Sequence, residues 1–388
     1  MSTPRIGTAA LPATPARSTP RRKSTEESCP LEQVDRLISD LESGQIRYNT
    51  DIQKGIRQQP LQLGNFPCKK YMLQASEMPY KSEEMPTEIV PKDAKSLYKK
   101  AVTVDSQLDL AQTEADLQAR AESIREGLDN LFAQRSESLM VLLEGDNASG
   151  KDGMVKHVFH INPMTTRGQV AFKGATAEEK EHSPNWRIMK NLAGPGQIMF
   201  HNRSHYGDVV FAAKTPEARA QRLAEIKELE YGLTMGLPMT AEGRIALPDK
   251  LGNVEVGAVQ RPPMRFIKVF VGVSQAEQAQ RLADRLLDDS KIYKVTQADL
   301  EGRSQHHQIQ TDFANAFAAT STPWAPSYYL PNDNKPMGWR KLAEITDEVL
   351  QDMDPHPPTQ SKDNLSLAQR KQLAKELLEE AAQARRKG

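Results

Sequence analysis

Between Leu142 and Gly153 the chain reads Leu-Leu-Glu-Gly-Asp-Asn-Ala-Ser-Gly-Lys-Asp-Gly, a loop bounded by Gly145 and Gly150 with Lys151 directly after it. The spacing Gly-x4-Gly-Lys suits backbone amides that wrap an anion while a lysine ammonium reaches over its outer phosphates. Such chemistry would handle nucleotides or other phosphate esters. Asp152 stands where these loops usually carry a Ser or Thr hydroxyl for magnesium, so a metal would have to be held elsewhere. The same residues could also make only a tight strand-to-helix turn with a solvated lysine, and the surrounding elements decide between the two.

Upstream, Ser138 to Leu143 is a short, mostly apolar run, as expected for a strand buried on both faces of a parallel sheet. Downstream, Met154 to His160 predicts a helix whose N-terminus faces the loop. Further strands are predicted at Gln169 to Lys173, Gln197 to His201 and Phe266 to Val273, with a helix from Ala177 to Leu192 between the first two. A helix from Pro216 to Met235 precedes a Gly/Pro-rich insertion or hairpin at 236–263, and helices follow at Ala276 to Leu287 and Thr296 to Ala319. Strands alternating with helices at this spacing imply a parallel sheet covered on both faces.

Before this core, apolar residues from Leu31 to Leu41 recur at helical spacing, prolines from Pro60 to Pro91 punctuate an irregular stretch, and Asp93 to Gln134 is helical with a break near Asp105. The first 30 residues, rich in Pro, Ser, Thr and Arg, predict a disordered arm. Residues 355–388 form a linker and an exposed helix. The 388 residues carry 51 lysines plus arginines against 51 aspartates plus glutamates, which leaves no overall field for capturing nucleic acid. Two cysteines, Cys29 and Cys68, offer neither a disulfide framework nor metal-ligand spacing and suit a reducing cytoplasm. No apolar run approaches the roughly 20 residues that span a bilayer.

With loop and strands in place, the chain resembles the polyphosphate kinase 2 family, whose members move phosphoryl groups between inorganic polyphosphate and nucleotides. Four collinear blocks carry the resemblance between Leu142 and Leu350. Glu144 to Gly153 is similar to the family's E-G-x-D-x-x-G-K-D/G-G loop, and Asn202-Arg203-Ser204-His205-Tyr206 to its Walker B signature [DN]-R-S-x-Y. Phe270 to Gln278 looks like the strand that leads into the lid, and Ala319 to Pro326 resembles its A-T-S-T-x-W-A-P segment, with Ser327 where a Trp would follow.

The resemblance implies an α/β fold, a P-loop kinase-like three-layer sandwich with a mostly parallel sheet, helices on both faces and a helical lid at about 276–310. It implies a catalytic domain over 135–354, preceded by the helical and irregular extension at 31–134. It also implies a magnesium-dependent enzyme in a homo-oligomer, acting on polyphosphate and ADP/ATP, GDP/GTP or AMP. Gly145, Ala148, Ser149, Gly150, Lys151, Asp152 and Gly153, with Asn202 and Ser204, would bind phosphates, and Arg203 would fork onto the transferring phosphoryl group. Arg281, Arg285 and Lys294 match lid cations that face the polyphosphate chain, and Lys173 and Arg187 are candidates for the same channel.

Three departures bear on activity. Asn147 occupies the position of the family's catalytic aspartate, with Asp146 one step earlier. Gly207-Asp208 replaces two adjacent acids, leaving Asp146 and Asp208 as magnesium candidates. His306-His307-Gln308-Ile309 stands where the family commonly has Trp-Asp-Asp-Tyr; adjacent helical histidines diverge by about 100 degrees, which argues against one shared metal. His157, His160, His201 and His205 surround the loop and third strand in sequence and offer a proton shuttle or a phosphate contact. Two functions of different class follow: an active polyphosphate-dependent kinase, or a kinase-fold module that binds nucleotide or polyphosphate after catalysis has lapsed.

Overall fold

The apolar run Leu139 to Leu143 lies within strand β1, Ser138–Glu144, every residue of which is buried. In the computed structural model, which describes residues 29–57, 110–160, 162–359 and 365–387, this strand is the centre of the fold. The basic arm before residue 29, the Pro60 to Pro91 stretch, Cys68 and the helix break near Asp105 lie outside the described residues. Four further strands, β2 (Thr166–Val170), β3 (Ile198–Asn202), β4 (Met264–Gly272) and β5 (Ser327–Pro331), complete a five-stranded sheet in the order β2-β3-β1-β4-β5. All four pairings are parallel, with Leu143 opposite Asn202 on one side and Val269 on the other.

The two-residue period of a strand divides its side chains between two cores. Leu139, Val141 and Leu143 join Ile267, Val269 and Val271 against helices α1 (Leu110–Gln134), α2 (Lys151–Val158) and α3 (Lys335–Met353), while Met140 and Leu142 join Phe266 and Phe270 on the opposite face. Helices at Pro216–Met235 and His306–Ala319 cover that second face. Each fully buried Leu or Val contributes about 1.5–3 kcal/mol, so the sheet's double coverage is what makes so short a strand stable. The helix at Pro30–Glu42 packs Leu31, Val34 and Ile38 onto the same second core, as its helical spacing predicted.

On the second face a charged residue of β4 interrupts the apolar pattern. Lys268, between Phe266 and Phe270, is fully buried and donates to Glu230 at 2.6 Å, to the Thr320 carbonyl at 2.9 Å and to the Tyr206 hydroxyl at 3.1 Å. Tyr206 in turn donates to Glu230 at 2.8 Å. Burial without partners would be costly for each group, and here the ammonium's three protons all find acceptors. Tyr206 belongs to the Asn-Arg-Ser-His-Tyr block and Thr320 to the Ala-Thr-Ser-Thr block, so this network ties the two together beneath the sheet's end.

Several elements differ from their sequence-based positions. Strand β2 ends at Val170, and Phe172 and Lys173 run past the sheet, with the Phe172 amide donating to the Arg203 carbonyl at 3.2 Å. The helix expected from Ala177 to Leu192 is reduced to single turns at Glu179–Glu181 and Trp186–Lys190. Pro184 lies between them, and a proline inside the span has no amide to continue the ladder. The expected Thr296 to Ala319 helix is broken at Gly302–Gln305, where a tight 3-10 turn separates Gln297–Glu301 from His306–Ala319. Met239 bridges both Ile245 and Val259 in antiparallel fashion, which gives the 236–263 insertion a hairpin-like base. Strand β5 and helix α3 had no counterpart in the sequence reading. No helix among the described residues is long and apolar enough to cross a membrane.

Candidate active site

The candidate residues gather where the strand order reverses around β1, at the carboxyl ends of β1 and β3, the usual place for ligands in an open parallel sheet. The loop after β1 turns sharply because Gly145, Ala148 and Gly150 take φ values of 141°, 64° and 99°. A Cβ on Gly145 would lie 2.3 Å from the Val271 carbonyl oxygen and one on Gly150 2.4 Å from Asn332, so both positions require glycine. Gly150 then serves as the N-cap of α2, and Lys151 opens the helix.

Lys151 is folded onto its own loop. Its three ammonium protons go to the Gly145 carbonyl at 2.7 Å, the Asp146 carbonyl at 2.9 Å and the Ser149 hydroxyl at 3.2 Å. Desolvation pulls its pKa down to about 8, although the nearby Glu144 carboxylate opposes the shift. Glu144, at the end of β1, is buried too, and desolvation pushes its pKa up to about 7 against the pull of Lys151 and the Ser204 hydrogen bonds. It accepts from the Ser204 amide and, at 3.0 Å, from the Ser204 hydroxyl, which fastens the turn after β3 to the loop after β1.

That turn carries Arg203, an exposed side chain on a backbone with φ of 75°, an uncommon conformation for a residue with a Cβ. Its guanidinium donates to Asn147 Oδ1 at 2.7 Å. Asn147 Nδ2 donates to Asp299 of the lid, and the Asn147 carbonyl accepts from Gln278 Nε2 at 3.2 Å. Asn147 thus joins the turn after β3 to the lid, with the amide's donor and acceptor ends both used.

Two cavities meet at this junction. A larger one of 850 Å³ lies along the loop and α2, lined by cations including Lys151, Lys156, Arg285, Lys291, Lys294 and Lys335. A smaller one of 570 Å³ is lined by Glu144, Phe172, Phe211, Ile309, Ser204, Gly207 and Asp208. Asn147, Lys173, Arg203 and Asp299 line both. At one end of the larger cavity His157 stacks on Trp339 with ring centroids 4.0 Å apart.

Several expected roles change in three dimensions. Asp208 is held by Arg187 at 2.6 Å and Arg222 at 3.2 Å, so its carboxylate answers two guanidiniums instead of a metal. Arg187 is correspondingly committed, donating also to the Lys173 carbonyl at 3.0 Å, and is no free channel cation. Asp146 turns away from Asn147 toward the His306–Ala319 helix, where it meets His306 at 2.5 Å and Gln310 at 3.3 Å. Neither Asp146 nor Asp208 therefore fits the magnesium role. Among the described residues no cluster of three or more His, Cys, Asp or Glu forms a metal site.

Asp152 accepts from Asn202 and lies 3.9 Å from Lys294. Arg281, Arg285 and Lys294 all line the larger cavity, but Arg281 is buried against the loop, whereas Arg285 is half-buried and Lys294 exposed. His201 is buried with its pKa down to about 3 by desolvation, and buried His205 lies 3.5 Å from Glu230, so neither is a proton shuttle at the loop. His157 lines the larger cavity and His160 is exposed. His306 and His307 diverge as expected, the first reaching Asp146. Glu144, Asp299, Lys156, Lys335 and Phe211 were missed as site residues. Glu144 had a visible signal, an acid ending a run of apolar residues, whereas the others depend on how lid and helices fold over the loop.

Comparisons with known proteins agree with this geometry. The family model described as Polyphosphate kinase 2 (PPK2) matches residues 107–237 and 255–358, more than half of the chain. An AMP/ADP-polyphosphate phosphotransferase of Meiothermus ruber is 30% identical over 257 residues, covering 64% of this chain and 85% of its own length. An ADP-polyphosphate phosphotransferase of Rhodopseudomonas palustris is 24% identical over 248 residues, covering 63% of this chain and 82% of that one. The crystal structure of polyphosphate kinase 2 from Arthrobacter aurescens TC1 superposes with a TM-score of 0.57 at 23% identity, over 79% of this chain and 98% of that one, a likeness of fold. With the loop, the Arg203 turn and the lid on one parallel sheet, and with the family model spanning both halves of it, the chain belongs to the polyphosphate kinase 2 family.

Proposed function

We propose that this protein transfers a phosphoryl group between inorganic polyphosphate and a nucleotide such as ADP, GDP or AMP. The observation that carries the reading is the pair of cavities sharing one wall at Asn147, Arg203 and Asp299. A phosphoryl group in transit needs a donor and an acceptor approaching in line, with cations at the transferring oxygens and little covalent help from the protein. The cation-lined larger cavity suits the polyphosphate chain. The smaller cavity, with Phe172, half-exposed Phe211 and Ile309, offers apolar surface for a base and ribose, while Lys173 and Arg203 face its phosphates from the shared wall.

In this arrangement an acceptor phosphate oxygen attacks the terminal phosphorus of the chain, and the bridging P–O bond breaks to leave a chain one unit shorter. Arg203 stabilises charge on the transferring oxygens, and Lys151 leaves its loop carbonyls for the substrate's phosphates. The lid cations Arg285 and Lys294 hold the rest of the chain. Magnesium enters the proposal only as a counter-ion brought by the phosphates, since Asp146 and Asp208 are both engaged with the protein.

The test is to incubate the purified protein with magnesium, polyphosphate and ADP, GDP or AMP and follow nucleotide phosphorylation beside Lys151→Ala. Turnover that falls at least a hundredfold in Lys151→Ala is expected. Binding of both substrates without turnover would overturn the reading, and equal rates in the two proteins would remove Lys151 from it.

A further inference from the structure

Arg281 and Arg285 sit one turn apart on the helix Gln275–Leu287, and sequence places both among the lid cations. Their surroundings separate them. The Arg281 side chain is 6% exposed. A guanidinium has five N–H donors, and five acceptors surround this one. Nε donates to Glu277 at 2.7 Å, Nη1 to the Ala148 carbonyl at 3.0 Å and the Ser149 carbonyl at 3.1 Å, and Nη2 to the Asn332 carbonyl at 2.5 Å and the Asp333 carbonyl at 3.1 Å. These acceptors come from three segments: the lid helix, the loop after β1 and the connection from β5 to α3. Asn332 adds its own bond, Nδ2 to the Ser149 carbonyl at 2.6 Å.

A trans peptide points its C=O and N–H in opposite directions, so holding the Ser149 carbonyl turns the Gly150 amide away from Arg281. The Ala148 carbonyl is fixed in the same way, on a residue whose φ of 64° is unfavourable for alanine. An arginine engaged with five acceptors could reach a phosphate only by leaving the loop it holds. Both arginines line the 850 Å³ cavity, but Arg285 does so half-buried.

We propose that Arg281 is a positioning residue that fixes the backbone of the 145–150 loop for phosphate, and that the cation serving the polyphosphate chain on this helix is Arg285. The inference rests on the function proposed above. Lysine cannot reproduce the role, because one ammonium with three protons cannot span a planar set of five acceptors.

The experiment compares Arg281→Lys, Arg281→Gln, Arg285→Lys, Arg285→Gln and Glu277→Gln in the full chain, measuring kcat and the KM for polyphosphate and for nucleotide across a salt series. For a positioning role, Arg281→Lys and Arg281→Gln both lose at least tenfold in kcat, and the slope of log KM for polyphosphate against log salt stays that of the unmodified protein. Arg285→Lys keeps most of its activity, and Arg285→Gln shows a shallower slope, as expected when one phosphate contact and its released counter-ion are lost. Glu277→Gln keeps every cation, loses kcat in the same direction as the Arg281 variants and does not bind polyphosphate more tightly. It therefore decides the matter even where an Arg281 variant fails to fold.

Recovery of activity in Arg281→Lys together with a shallower salt slope in Arg281→Gln would overturn the inference, as would tighter polyphosphate binding in Glu277→Gln. Absence of turnover in the unmodified protein would overturn the proposed function instead, which keeps the two failures apart.

Discussion

Replacing Asn147 by aspartate restores the residue type that the family places in this loop, yet the structure predicts a loss. Asn147 Nδ2 donates to Asp299 and Oδ1 accepts from Arg203 at 2.7 Å. An aspartate keeps the second contact, improved by about 1 kcal/mol or less because Arg203 is exposed. At the first it removes a hydrogen bond to a charged acceptor, about 1.5–3 kcal/mol, and sets two carboxylates against each other at a further cost of similar size. The net is about 3 kcal/mol against the contact that joins loop and lid, roughly a hundredfold in its population at 1.4 kcal/mol per tenfold.

Asp299→Asn should cost far less, because two amides can still pair. Asn147→Asp combined with Asp299→Asn should recover most of the loss, with the hydrogen bond now running from the lid to the loop. The assay is kcat/KM for nucleotide at saturating polyphosphate in all four proteins. Asn147→Asp as active as the unmodified protein, or a double variant no better than Asn147→Asp, would refute the reasoning.

Lys151 must be an ammonium to hold phosphate, and its pKa is pulled from 10.5 to about 8 by burial. Hence kcat/KM should fall above about pH 8, while kcat stays level to higher pH because bound phosphates restore the charge; a pH–rate profile read at both substrate extremes checks this. The unfolded chain binds the proton more tightly than the native one between those two values, so this group's contribution makes stability rise with pH across that window. Glu230→Gln should destabilise by about 3–5 kcal/mol, since it leaves the Lys268 ammonium buried without its counter-charge; adding Lys268→Met should return most of this in a denaturant titration. Asp208→Asn should lower stability by about 1–3 kcal/mol through Arg187 and Arg222 but leave the magnesium requirement of turnover unchanged. A tenfold rise in that requirement would put Asp208 back among the metal ligands.

What was legible in the sequence had a local cause. Strand β1 announces itself because both of its faces are buried, and the Pro216–Met235 helix because Thr215 caps it, Pro216 begins it and Gly236 ends it with φ of 67°. Lys151, Arg203 and the glycines are where the spacing put them. Strand β5 escaped notice because Ser327-Tyr328-Tyr329-Leu330-Pro331 mixes polar and apolar types, and its burial comes from β4 and the helices around it. Arg281 and Arg285 carry the same charge four residues apart, and only the return of Asn332 and Asp333 beside the loop assigns them different work. Asp208 shows the same limit, because Arg222, fourteen residues later, decides what its carboxylate does.

The departures from the family pattern also read differently in space than in sequence. An acid one step early at Asp146, an amide at Asn147 and a histidine at His306, where the family commonly has a tryptophan, look unrelated along the chain. In the structure Asp146 is the partner of His306, and Asn147 is the link between Arg203 and Asp299. Asp146 anchors the loop against the His306–Ala319 helix, and Asn147 joins it to both the lid and the Arg203 turn, the parts that a phosphoryl-transfer site has to keep in register. If that coupling is functional, His306→Ala should lower turnover with polyphosphate, by unseating Asp146 and with it the loop, more than it lowers thermal stability. A drop in melting temperature with turnover per folded molecule unchanged would reduce the Asp146–His306 pair to packing.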